Sequence, residues 1–248
     1  MEKIALVTGS SRGIGRAVAT ELARQGWAVC INYREREDCA RSLVEQLTGE
    51  GCRVMAVQAD VACREQVNTM VRQVGDAFGP VALLVNNAGV AGQALFQDIT
   101  DELWHRYFSV NVDGAYHAIQ AVLPAMLHHH EGCIINTSSI CGLIGHMNTP
   151  EAYTATKGAI TLLTKSVAAR YGKDNIRCNS IHPATVDTPF VAALMADPVK
   201  KQARLNEIPL GRLTSVEDVA NAVLYLASDE ASFLNGVNLP IDGGVTCY

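Results

Sequence analysis

Short apolar runs rich in β-branched residues alternate with longer helical patterns along the whole chain. IALVT (4–8), AVCINY (28–33), CRVMAVQAD (52–60), ALLVNN (82–87), CIINTS (133–138), IRCNSI (176–181) and a short run at 237–240 read as strands. Helical patterns occupy 15–26, 37–49, 63–78, 101–128, 151–172 and 215–228. Strands that are apolar throughout must be covered on both faces, and helices between them supply the cover, so the order predicts an α/β fold with a parallel sheet. No internal repeat, low-complexity tract or linker interrupts it. At 248 residues the expectation is a single domain over 1–248. The Pro-bearing stretch 183–212 is the one long irregular insertion, and because strand ends carry the site in such folds it reads as a substrate lid.

The totals exclude several classes. A formal charge of −5 with no basic stripe argues against nucleic acid as a partner. No apolar run approaches the ~20 residues that span a bilayer. MEKIALVTGS starts directly as a strand with no leader pattern, so a cytoplasmic location is expected. The eight cysteines show no CxxC spacing and read as reduced thiols, with Cys141 as pocket wall. His128, His129 and His130 point in different directions on a helix, so no metal site is expected.

Strand 1 runs into TGSSRGIG and then a helix, placing Gly9, Gly13 and Gly15 where a backbone must approach a phosphate closely. The free N–H groups of the helix start face the same place, making Gly9, Ser11, Arg12, Gly13, Ile14 and Gly15 the candidate dinucleotide cradle. An acid at the end of strand 2 usually holds a ribose 2′-hydroxyl. Here that end reads Asn32-Tyr33-Arg34, and Arg34 with Arg12 suits a 2′-phosphate. Glu35 is placed to serve a ribose instead. NADP(H) is therefore favoured as cofactor, with NAD(H) as the alternative, and Tyr33 and Arg34 join the cofactor set.

A second cluster spans SSICGLIGHMNTPEAYTATKGA (138–159). Tyr153 and Lys157 lie four apart on a helix and project from one face. A free phenol, with a pKa of about 10, is a poor base at neutral pH, and an adjacent ammonium is expected to bring it toward the working range. Lys157 can also hold nicotinamide ribose hydroxyls. Ser139 leaves a strand end and can donate a hydrogen bond to a substrate oxygen as charge builds there.

The ordered set TGSSRGIG, Asp60-Val61, Asn86-Asn87-Ala88-Gly89, Asn111, Ser139, Tyr153-x-x-x-Lys157, Pro183 with Thr188 and Asp242-Gly243-Gly244 resembles the short-chain dehydrogenase/reductase family over nearly all of the chain. The resemblance implies a Rossmann-like, doubly wound sheet of seven parallel strands, a nicotinamide cofactor and a homo-oligomer, commonly a tetramer. It further implies that Asp60 and Val61 contact the adenine and that Asn87, Ala88 and Gly89 lie under the adenosine ribose. Pro183, Val186 and Thr188 would hold the nicotinamide. Asn111, Ser139, Tyr153 and Lys157 would be catalytic, Asn111 holding a water that links Lys157 to solvent.

Departures from the family pattern bear on the substrate. Ser139 precedes Tyr153 by one position more than is usual, so Ile144, His146 and Met147 become candidates for substrate contact. Ser138 reads as support for the strand end. Ala184 stands where a glycine usually follows the proline. Many relatives reduce 3-oxoacyl groups on acyl-carrier protein, which docks on basic residues. Here His128-His129-His130-Glu131 and Lys173-Asp174-Asn175 weaken that docking. A small-molecule ketone or secondary alcohol is the expected substrate, 3-oxoacyl thioester reduction the alternative, and a catalytically silent NADP-binding regulator the rival of another class. Phe190, Val191, Leu194 and Met195 of the lid suit a hydrophobic substrate, as they would suit core packing.

Overall fold

The computed structural model describes residues 2–92, 94–147, 149–188, 191 and 196–247. Seven strands form one sheet: β1 (Ile4–Val7), β2 (Ala28–Tyr33), β3 (Val54–Gln58), β4 (Leu83–Asn86), β5 (Gly132–Thr137), β6 (Ile176–Pro183) and β7 (Asn238–Ile241). Their order is β3-β2-β1-β4-β5-β6-β7, and every neighbouring pair is parallel. The order reverses between β1 and β4, and in doubly wound sheets that crevice is where ligands bind.

The helices are α1 (Gly13–Arg24), α2 (Glu37–Gly49), α3 (Arg64–Ala77), α4 (Asp101–Phe108), α5 (Gly114–His129), α6 (Glu151–Tyr171), α7 (Pro198–Asn206) and α8 (Val216–Ala227). Strand alternation sorts the core into two layers. Ile4 and Leu6 face one side with Val67, Met70 and Val74 of α3 and Val122 and Met126 of α5. Ala5 and Val7 face the other with Val18 and Leu22 of α1, Leu43 and Leu47 of α2, and Val219 and Val223 of α8. This double burial is why the strands are mainly apolar on both faces, with Asn32, Asn86, Asn136, Asn179, Ser180 and His182 as buried polar exceptions.

Two expectations need refining. The pattern at 101–128 is one continuous run, but a π-helical turn over Ser109–Asp113 widens it between α4 and α5. The 183–212 insertion is not irregular throughout, since Asp197 caps α7 by accepting from the Val199 amide at 2.9 Å. Phe190, Leu194 and Met195 lie outside the described residues. Past the insertion, Ser215 and Asp218 form a reciprocal capping box at the start of α8. No helix among the described residues is long and apolar enough to cross a membrane.

Candidate active site

The glycine turn is built against the end of β4. At Gly9, with φ +63°, a side chain would put its Cβ 2.8 Å from Ala88 Cα. At Gly15 a Cβ would stand 2.5 Å from Asn87 Nδ2 and 2.6 Å from the Gly9 carbonyl. Asn87 Nδ2 donates to the carbonyls of Thr8 and Gly9, at 2.9 and 3.1 Å. From the other side the Gly9 amide donates to Asn32 Oδ1 at 3.0 Å, while Asn32 Nδ2 reaches Ala59 O at 3.0 Å. Asn32 is thus the strut between the turn, β2 and the end of β3, and its signal in the sequence was a lone amide inside an apolar strand.

The first turn of α1 carries no acidic residue and no side-chain cap, so its N–H groups remain available to an anion. They open onto a cavity of about 760 Å³ lined by Gly9, Ser11, Arg12, Gly13, Ile14, Tyr33, Arg34, Asp60, Val61, Asn87, Ala88, Gly89 and Thr188. The size suits a dinucleotide. Gly15 lies behind this wall as packing. Pro183 ends β6, and Val186 is buried, pairing as a parallel bridge with Thr214. Glu35, Arg36, Leu103, Arg106 and Tyr107 also line the cavity, of which sequence reasoning had singled out only Glu35.

Charge at the far end is mixed. Arg34 pairs with Glu35 and stands 3.8 Å from Asp60. Arg36 binds Asp38 through two hydrogen bonds of 3.0 and 2.8 Å, and this guanidinium holds the Asp38 carboxyl well below the usual range. Arg12 has no ion pair among the described residues.

At the near end the second cluster comes together. Lys157 is buried, with Nζ donating to the Thr137 carbonyl at 2.7 Å and standing 5.4 Å from the Tyr153 ring centre. It also approaches within 3.9 Å of where a Gly89 Cβ would be, so the cluster abuts the cavity there. Burial brings its ammonium down to about 8. Burial likewise pushes the Tyr153 phenol up, the Ser139 hydroxyl being the one neighbour that lowers it. This corrects the expectation of a phenol lowered by Lys157. The loss of water around the hydroxyl dominates, and the Lys157 ammonium is turned toward Thr137.

Asn111 sits in the π turn, a common place for functional residues. Its Oδ1 accepts from the Val90 amide at 2.7 Å, and its Nδ2 donates to Val90 O and Thr156 Oγ1, both at 3.0 Å. Thr156 in turn donates to the Tyr153 carbonyl at 2.7 Å. The side chain thus braces the backbone at Tyr153 against that at Val90, and its Oδ1 lies 3.3 Å from where a Gly89 Cβ would be, on the side that Lys157 Nζ also approaches. Ser138 donates to the Lys157 carbonyl at 2.9 Å, tying the β5 end to α6. Ser139 accepts from the Cys141 amide at 3.2 Å, and Cys141 is buried beside Tyr153 and Lys157.

In the following loop Met147 is 99% exposed and packs against nothing among the described residues. His146 is engaged instead. Its Nε2 accepts from Arg204 of α7 at 2.7 Å and lies 3.3 Å from Glu207, and its Nδ1 lies 3.3 Å from Thr149 Oγ1.

Comparison with known proteins agrees with this geometry. Residues 9–246 match the family described as enoyl-(acyl carrier protein) reductase. A 3-oxoacyl-[acyl-carrier-protein] reductase of Staphylococcus epidermidis is 38% identical over 245 residues, covering 99% of each chain. An L-rhamnose 1-dehydrogenase (NAD(P)(+)) of a Sphingomonas species is 38% identical over 98% of this chain and 96% of its own. The crystal structure of a gluconate 5-dehydrogenase from Burkholderia cenocepacia in complex with NADP and tartrate superposes with a TM-score of 0.94 at 34% identity, covering 100% of this chain and 97% of that one. The chain belongs to the short-chain dehydrogenase/reductase family and is an NAD(P)-dependent oxidoreductase acting on CH–OH and C=O groups.

Proposed function

We propose that the protein interconverts a small-molecule ketone and its secondary alcohol using NADP(H), with Ser139, Tyr153 and Lys157 as catalytic residues and Asn111 completing their site. The observation that carries this reading is the convergence of Ser139, Tyr153 and Lys157 at the end of the cavity where Gly89 meets Lys157.

A bound nicotinamide supplies or accepts the hydride. Burial keeps the Tyr153 phenol protonated at neutral pH, the form that donates to a carbonyl oxygen as negative charge builds on it. The Ser139 hydroxyl, beside the phenol, donates a second hydrogen bond to that oxygen. Lys157, with its ammonium near 8, exchanges a proton readily at working pH and returns one toward the phenol. Asn111 holds Val90 and, through Thr156, the backbone at Tyr153.

NADP(H) is favoured because Arg12, Arg34 and Arg36 line the cavity together with Tyr33, and Arg12 has no ion pair among the described residues. The polar group of His146, Thr149, Arg204 and Glu207 over the loop after Ser139 supports a hydroxyl-rich substrate. Relatives named for rhamnose and gluconate support the same class. The reductase relative from Staphylococcus supports reduction of a 3-oxoacyl thioester as the second reading. A panel of sugars, sugar acids, cyclic ketones and acyl thioesters, followed by nicotinamide absorbance, separates the two. The cofactor reading expects kcat/KM with NADPH to fall about tenfold in Arg34→Ala, the loss of one charge-assisted contact, with NADH little changed. Equal efficiency with both cofactors, indifferent to Arg34→Ala, overturns it.

A further inference from the structure

His182 is fully buried in β6, one residue before Pro183, and none of the motifs above includes it. Its Nδ1 lies 2.7 Å from the Ser139 carbonyl oxygen and its Nε2 lies 2.8 Å from Ser180 Oγ. A carbonyl only accepts, so Nδ1 carries the proton and the ring donates to Ser139. Ser180 Oγ lies 2.9 Å from the Asn238 side chain on β7. Burial favours the uncharged ring, and the nearby Lys157 charge acts in the same sense. With Nδ1 protonated, Nε2 of the uncharged ring is the acceptor facing the Ser180 hydroxyl, which also stands at Asn238 Oδ1. Polar contacts thus run from β7 through β6 to the backbone of Ser139.

We propose that His182 is a positioning residue for the reaction: its Nδ1–H grips the Ser139 carbonyl and sets where the Ser139 hydroxyl stands. The surrounding segment is pinned at neighbouring positions as well, and the Ser139 carbonyl also accepts from the Gly142 amide at 2.9 Å. Thr137 O is held by Lys157 Nζ, the Ser138 amide donates to Ile181 O at 2.9 Å, and the Ser138 hydroxyl binds the Lys157 carbonyl. Beyond Ser139 the chain leaves β5 for a single 3-10 turn at Ile140–Gly142. The Gly142 bond closes that turn on itself, so His182 is the donor that ties the Ser139 carbonyl back to β6. A hydroxyl displaced by a fraction of an ångström donates poorly to the reacting oxygen, while the glycine turn that faces the dinucleotide shares no hydrogen bond with His182 among the described residues.

The inference rests on the catalytic reading of Ser139, and two measurements keep the two apart. In the first, His182→Phe retains ring volume and loses the donor, whereas His182→Asn keeps an N–H where Nδ1 was. The expected result is a fall in kcat of at least tenfold in His182→Phe, with the NADPH dissociation constant within twofold of wild type, and recovery of most of that loss in His182→Asn. An unchanged kcat in His182→Phe overturns the proposal. So does a loss that appears wholly in cofactor affinity, or one that His182→Asn does not relieve although both variants melt cooperatively. In the second, 15N-histidine labelling of the wild-type chain reads the tautomer without any substitution or substrate. A protonated Nδ1 with an unprotonated Nε2 at His182 is expected, and the opposite tautomer overturns the proposal even if no substrate has been found.

Discussion

Replacing Lys157 by methionine should stabilise the fold while abolishing turnover. Lys157 is only 5% exposed, and burial brings its ammonium from 10.5 down to about 8. Between those values the unfolded chain holds a proton that the folded chain has released, so stability rises with pH through the window and is lowest below it. At about 1.36 kcal/mol per pH unit, the buried charge costs the fold about 3 kcal/mol at pH 7. Methionine has a similar length and no charge to desolvate. It forfeits the hydrogen bond to Thr137 O, worth about 1 kcal/mol. The net gain of about 2 kcal/mol corresponds to a melting temperature about 4–8 °C higher in a chain of this size. At pH 10 the wild type has shed most of its penalty, so the gap should close. Denaturant titrations of both proteins at pH 7 and pH 10, without dinucleotide, make the comparison. A variant no more stable than wild type at pH 7, or a gap indifferent to pH, would refute the argument.

Four further substitutions separate packing from chemistry. Gly15→Ala drives a Cβ into Asn87 Nδ2 and the Gly9 carbonyl, and should cost about 2–4 kcal/mol through overpacking and a lost hydrogen bond, weakening dinucleotide binding in a fluorescence titration. Gly49→Ala, with nothing within 4 Å of the new Cβ at the end of α2, should instead leave stability equal or raised by about 0.5 kcal/mol. Ser139→Ala should lower kcat about a hundredfold with little change in melting. Ser138→Ala, which breaks the bond to the Lys157 carbonyl, should cost about 1 kcal/mol of stability and far less activity, and a reversal of the two would exchange their roles.

The order of strands and helices was legible because both faces of the sheet are covered, which leaves the strands largely apolar runs. The glycine turn was legible because positions 9 and 15 admit no side chain against Ala88 and Asn87. Residues whose task is to hold a neighbour were not. Asn32, His182 and Thr156 act through backbone carbonyls and amides brought close only by folding, and nothing in their spacing announces the partner. The direction of the Tyr153 shift was misjudged for a related reason. Spacing on a helix reports the approach of Lys157 but not the depth of burial, and desolvation acts on both groups at once.

The wide turn at Ser109–Asp113 carries a consequence for chain length. Tyr107, Asn111, Ala115 and Ile119, all buried, recur every four residues, a spacing that walks around an α-helix of 3.6 residues per turn. One supernumerary residue absorbed in the π turn returns them to a single face. Its deletion would close the ladder into an unbroken helix and rotate everything upstream by about 100°. Leu103, Arg106 and Tyr107 would then swing off the cavity wall. The shape of the pocket is therefore set by a count of residues in the middle of a helix, where an insertion or deletion would ordinarily be expected to destroy the fold rather than tune the site.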